Sequence, residues 1–192
     1  MFVDDNVRKC VLFLGTKEDG RWKPRATAFV VNIAEDSEVG FRYLVTAEHV
    51  ISRLLSTQKE IWVRSNLKNG TALEERLSAE ADHWWFHSDN ATSPTDVAIA
   101  GVDFSNDEEF VSLPLTGTFA MSATAEVLDT YGIGVGHEVF VTGLFRSHYG
   151  DQKNIPIVRV GNIAMMRGDP VKTKYCGYTD AYLIEASTRN QS

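Results

Sequence analysis

Two short segments carry residue types that do chemistry together. In Phe41-Arg42-Tyr43-Leu44-Val45-Thr46-Ala47-Glu48-His49-Val50, an apolar strand runs into a small-residue turn that presents one histidine. In Thr95-Asp96-Val97-Ala98-Ile99-Ala100, an aspartate opens a second apolar run. An imidazole takes and returns a proton near neutral pH, and a carboxylate beside it fixes its tautomer and stabilises the imidazolium. Such a pair is two thirds of a nucleophile–base–orienter arrangement. A serine hydroxyl is a poor nucleophile at neutral pH and needs such a base within hydrogen-bond reach. His49 is the candidate base and Asp96 the candidate orienter.

Strands must position these groups, and the pattern along the chain is mostly β. Strands are expected at Val7 to Leu14, Ala26 to Ile33, Gly40 to Thr46, Ile61 to Arg64, Ala79 to Phe86 and Val97 to Val102, all rich in β-branched and aromatic residues or alternating in polarity. Turn signals fall at Gly15 and Asp19-Gly20, and Val50 to Leu55 has room for one or two helical turns. The stretch from Asp103 to Thr130, with Asn106-Asp107-Glu108-Glu109 and Pro114, reads as a connection. A second β-rich region follows, with strands near Glu138 to Phe145, Ile157 to Met165 and Ala181 to Ala186. Short strands at close intervals point to an all-β sandwich or barrel. There is no fixed-period repeat and no low-complexity tract.

Together these segments resemble the trypsin-like serine peptidases of the two-barrel chymotrypsin fold. Thr46-Ala47-Glu48-His49 matches the family's Thr-Ala-x-His segment, and Asp96-Val97-Ala98 its Asp-Val/Ile-Ala segment, in the family's order. Thr27-Ala28-Phe29-Val30-Val31, ahead of the histidine strand, is similar to the family as well. So is Gly136-His137-Glu138-Val139-Phe140-Val141-Thr142-Gly143 in the second half, and Ala181 to Ala186 resembles the strand before the nucleophile loop. The resemblance covers nearly all of the chain. It implies a first barrel over residues 1–110 carrying His49 and Asp96, then a connection and an incomplete second barrel over 111–192. It implies peptide-bond hydrolysis, with a polypeptide substrate or protein partner and no cofactor or metal.

The chain departs from the family at its end. The Gly-x-Ser-Gly segment expected soon after the Tyr182 to Ala186 strand is absent, and the sequence reads Ser187-Thr188-Arg189-Asn190-Gln191-Ser192. Ser192 stands near the nucleophile's place, and Asn190 where a glycine's N–H would help form the oxyanion hole. A terminal residue frays and loses the positioning that catalysis requires. The expectation is therefore a peptidase-family chain that is inactive as it stands, whether truncated, split from a second polypeptide, or a non-catalytic relative. The competing function is a protease-like binding module without turnover. A second barrel without its last strands should have open edges.

Other candidates carry less. Cys176, in Tyr175-Cys176-Gly177-Tyr178, resembles the Cys-Gly of viral cysteine peptidases with this fold, but the preceding glycine is missing. Gly132-Ile133-Gly134-Val135-Gly136 precedes a strand rather than a helix, so it reads as a turn and not a phosphate loop. His83 and His87, with Asp82 and Asp89, have the types of a zinc site, against the plainer reading of a polar strand edge. His137 and His148 read as surface residues. Cys10 and Cys176 read as reduced thiols, one in a strand and one in a loop.

Composition narrows the classes further. The 192 residues suffice for one domain or two small barrels, and 43% hydrophobic with 23% charged content fits a globular protein. A net charge of −7 repels phosphate backbones, so nucleic-acid binding is not expected. The acidic start Met1-Phe2-Val3-Asp4-Asp5-Asn6 lacks the basic, then apolar pattern of a secretory leader, and no apolar run approaches a membrane span's length. A cytoplasmic location is the expectation.

Overall fold

A computed structural model describes residues 3–36, 39–57, 59–77, 83–87, 94–105, 107–115, 122–145 and 147–186. The chain begins with a short helix, α1 (Asp5–Lys9), not with the expected strand from Val7. Its cues are polar ones. Asp4 caps it by accepting from the Asn6 N–H, Asp5 opens it, and Arg8 and Lys9 close it in the sense the helix dipole favours. Cys10 is the C-terminal cap rather than a strand residue.

β1 (Val11–Glu18) follows. It pairs with β2 (Arg21–Asp36) through a two-residue turn in which Asp19 and Gly20 both have positive φ, 52° and 71°. That is the backbone of a type I′ hairpin, which explains the Asp-Gly dipeptide. β1 is buried on both faces. Leu12 and Leu14 point into the main core with Ala28, Val30, Leu44, Ile61 and Val63, while Phe13 points into a second cluster with Val11 and Trp22. This explains why its apolar residues run without alternation.

β3 (Val39–Thr46), α2 (Glu48–Ser56), β4 (Ile61–Asn66), β5 (Ala72–Leu77), β6 (Trp85–Phe86), β7 (Ala98–Gly101) and β8 (Leu113–Pro114) complete the large sheet and its helix. The strand order is β5-β4-β1-β2-β3-β7-β6, with β8 parallel to β2. Among the described residues this order is open at both ends, so the first sheet is not a closed barrel. β6 forms the end of the strand expected at 79–86, and β5 is a further, unexpected strand. Its Glu74, Glu75 and Arg76 hid it from an apolar pattern, and Glu74 pairs with Lys17 and Arg76 with Glu60. Residues 79–82 lie outside the described residues.

The stretch expected to be a plain connection holds β8 and a helix, α3 (Ala125–Thr130), whose Thr124 hydroxyl accepts from the Val127 N–H. Beyond it, β9 (Glu138–Gly143), β10 (Ile157–Met165) and β13 (Leu183–Ala186) form a three-stranded antiparallel sheet with β10 in the middle. Between β10 and β13, β11 (Val171–Thr173) and β12 (Gly177–Thr179) make a separate hairpin. β9 and β13 are open edges among the described residues, and Val141, Val160, Leu183 and Ile184 stay exposed.

Polar contacts tie the two regions together. The Thr27 hydroxyl accepts from the Leu144 N–H at 2.8 Å. Arg64, almost wholly buried, donates to the carbonyls of Gly150 and Asp151 and to Asn154 Oδ1. Burial pulls the Arg64 guanidinium below its ordinary range, with Glu74, Tyr149 and Asp151 acting in the opposite direction.

Candidate active site

Register brings the two candidate residues together. β3 and β7 are antiparallel neighbours, with Thr46 opposite Ala98. The C-terminal end of β3 and the N-terminal end of β7 therefore lie side by side. His49 sits three residues beyond the first and Asp96 two residues before the second. The Thr46 hydroxyl donates to the Thr27 carbonyl at 2.9 Å and pins the strand end to β2.

The histidine itself rides on α2. Ile51 and Leu54, three residues apart on one helix face, are buried in the main core and fix the helix against the sheet. Ala47 occupies the N-cap and has no side chain that can cap. Asp96 takes over that role from a distant segment. Its Oδ1 accepts from the His49 backbone N–H at 2.9 Å, while its Oδ2 lies 2.6 Å from His49 Nδ1. One carboxylate thus satisfies an orphan helix N–H, sits at the positive end of the helix dipole, and holds the imidazole by its Nδ1 edge. With Nδ1–H donating to Asp96, the neutral ring keeps its lone pair on Nε2, as a general base requires. Among the described residues, Nε2 has no hydrogen-bond partner.

His49 and Asp96 line a cleft of about 480 Å³, together with Glu48, Ser52, Pro94, Thr95, Tyr175 and Cys176. The sequence offered no pattern for the part that the β11–β12 hairpin plays here. Its strands are three residues each, with no apolar alternation, yet its tip supplies one wall of the cleft. Tyr175 lies flat on the His49 imidazole, with ring centroids 3.7 Å apart and planes 2° from parallel. The Thr173 hydroxyl accepts from the Cys176 N–H and donates to the Gly177 carbonyl, and Gly177 turns the chain at φ 69°. The Thr179 hydroxyl donates to the Pro94 carbonyl at 2.6 Å, which ties the hairpin to the segment bearing Asp96.

Cys176 is a loop thiol, as expected, and its loop shares the cleft with His49. Burial and then the carboxylates of Asp96 and Glu48 push its thiol above the ordinary range, which disfavours the thiolate a nucleophile needs. Cys10 is buried, and burial pushes its thiol up as well. Ser192 and Asn190 lie outside the described residues, as do Asp82 and Asp89. No cluster of three or more metal-ligating side chains occurs among the described residues. His137 is exposed and bonds locally to Gly134, and His148 is exposed beside Phe145. Residues 132–136 form the turn between α3 and β9, with positive φ at Gly132 and Gly136. No helix among the described residues is long and apolar enough to cross a membrane.

No protein-family model matches the chain, and no curated protein matches it in sequence. Among solved structures it is similar to Deg5, with a TM-score of 0.54 at 15% identity, over 96% of this chain and 71% of that one. It is also similar to the MamO protease domain of Magnetospirillum magneticum in its apo form, with a TM-score of 0.51 at 16% identity, over 94% of this chain and 72% of that one. The fold is all-β and trypsin-like, built here from open sheets.

Proposed function

We propose that this chain carries the base and orienter of a serine-peptidase site, with His49 as general base and Asp96 as its orienter. The observation that supports this reading most is the double use of one carboxylate: Asp96 holds the His49 ring nitrogen and the His49 backbone N–H at once. A surface aspartate beside a histidine needs neither contact. Together the two contacts tie the Nδ1 edge of the ring to the N-terminus of the helix that bears it.

In this reading the His49 Nε2 takes the proton from a serine hydroxyl as that oxygen attacks a peptide carbonyl. The imidazolium so formed is stabilised by Asp96 and then protonates the leaving amine. The described residues supply the base and its orienter but not the nucleophile; Ser192 is the weak candidate for that place and lies outside them. The cleft beside His49 would receive the polypeptide.

A protein-binding module without turnover is the second reading. It is favoured by Tyr175, which covers one face of the base, and by the exposed apolar residues of the β9-β10-β13 sheet. A fluorophosphonate probe separates the two. Covalent labelling of Ser192 that disappears in His49→Ala would remove the binding-module reading. Absence of labelling, with peptide binding retained, would favour the binding module, and labelling that survives His49→Ala would remove His49 as the base.

A further inference from the structure

We propose that Tyr175 is a positioning residue for His49, setting the plane of the imidazole that Asp96 holds by one edge. The proposal rests on the reading of His49 as a base and extends it to a residue in a different part of the chain.

A single hydrogen bond from Nδ1 does not define a ring plane. The χ2 torsion of histidine is broad, and the ring can swing about the Nδ1···Oδ2 line while keeping that contact. A second, planar constraint is present. With centroids 3.7 Å apart and planes 2° from parallel, any swing of the imidazole drives its edge into the phenol ring. An edge contact from Asp96 and a face contact from Tyr175 leave one orientation.

Core packing does not account for this placement. Tyr175 is 56% exposed, a large aromatic ring held at the tip of a hairpin and laid over a polar ring. The anchor is local. Through the Thr179–Pro94 hydrogen bond the hairpin is fastened two residues from Asp96, so one short segment helps to set both constraints.

The test reads the His49 ring directly. In the wild-type protein, the carbon-bound imidazole protons of His49 should resonate upfield, shielded by the Tyr175 ring. Tyr175→Ala should move them downfield and speed carbethoxylation of His49 several-fold. Tyr175→Phe, which keeps the ring, should retain the wild-type shift and rate. Tyr178→Ala, on the same hairpin and exposed, should leave both unchanged and thereby separates loss of the ring from loss of the hairpin. Unchanged His49 resonances and rate in Tyr175→Ala would overturn the proposal, as would a Tyr178→Ala variant that behaves like Tyr175→Ala. None of these readouts needs turnover. Fluorophosphonate labelling reports on the nucleophile alone, so the Tyr175-dependent shift tests the positioning separately from it.

Discussion

Replacing Asp96 with asparagine probes the site and the fold at one atom. The carboxylate accepts two hydrogen bonds, one from the His49 backbone N–H and one from its ring. Asparagine has one acceptor oxygen. If that oxygen keeps the backbone contact, the amide NH₂ faces Nδ1–H, and the imidazole must adopt the tautomer with its proton on Nε2. A charge-assisted hydrogen bond contributes about 1.5–3 kcal/mol and a neutral one about 0.5–1.5. A carboxylate at a helix N-terminus adds about 0.3–1 kcal/mol. Asp96 is 27% exposed, so screening is partial. The expected loss is about 2 kcal/mol, or roughly 4–8 °C in Tm for a chain of this size. Thermal unfolding followed by circular dichroism at neutral pH measures it. The wrong tautomer also takes the lone pair from Nε2, so His49 could no longer serve as a base toward a nucleophile. An Asp96→Asn variant with unchanged Tm would refute the claim that this carboxylate caps α2 and holds the ring.

Four further outcomes follow from the same contacts. Asp96→Asn removes a charge that pushes the Cys176 thiol up, so Cys176 should be alkylated faster by iodoacetamide at neutral pH, whereas Cys10 should react only on unfolding. Arg64→Leu leaves the carbonyls of Gly150 and Asp151 without their donor and should cost about 3 kcal/mol in urea unfolding. Ile51→Ala opens a cavity beneath α2 and should cost about 2–5 kcal/mol. Neighbouring cations hold three carboxyls below the ordinary range: Arg8 beside Asp5, Lys59 beside Glu18 and Arg167 beside Asp180. Stability from these pairs is present above the unfolded carboxylate values and is lost as pH falls through the lower folded ones. A shallow decline below about pH 4 is expected, and Asp180→Asn should reduce it.

The residue types of the site were legible in the sequence, whereas its second wall was not. His49 and Asp96 follow and precede apolar strands, which marks them as strand-end residues. Their meeting depends on the antiparallel register of Thr46 with Ala98, which no single-strand pattern specifies. The nine-residue length of α2 was underestimated because its burial rests on a few positions, chiefly Ile51 and Leu54. The strand expected from Val7 is helix α1 up to Lys9, because its Asp4 cap and its charge order outweigh a few apolar side chains. Tyr175 gave no signal of its own and stood only as the neighbour of Cys176. It sits at the tip of a hairpin whose strands are too short to alternate, and its contact with His49 spans 126 positions of sequence, from 49 to 175.

In this site Asp96 holds His49 by Nδ1 and leaves Nε2 as the base. A ¹⁵N spectrum of the imidazole in neutral form tests it most directly. The expected result is an Nδ1-protonated ring with a low-field proton signal that disappears in Asp96→Asn. An Nε2-protonated ring, or a spectrum unchanged by Asp96→Asn, would contradict it.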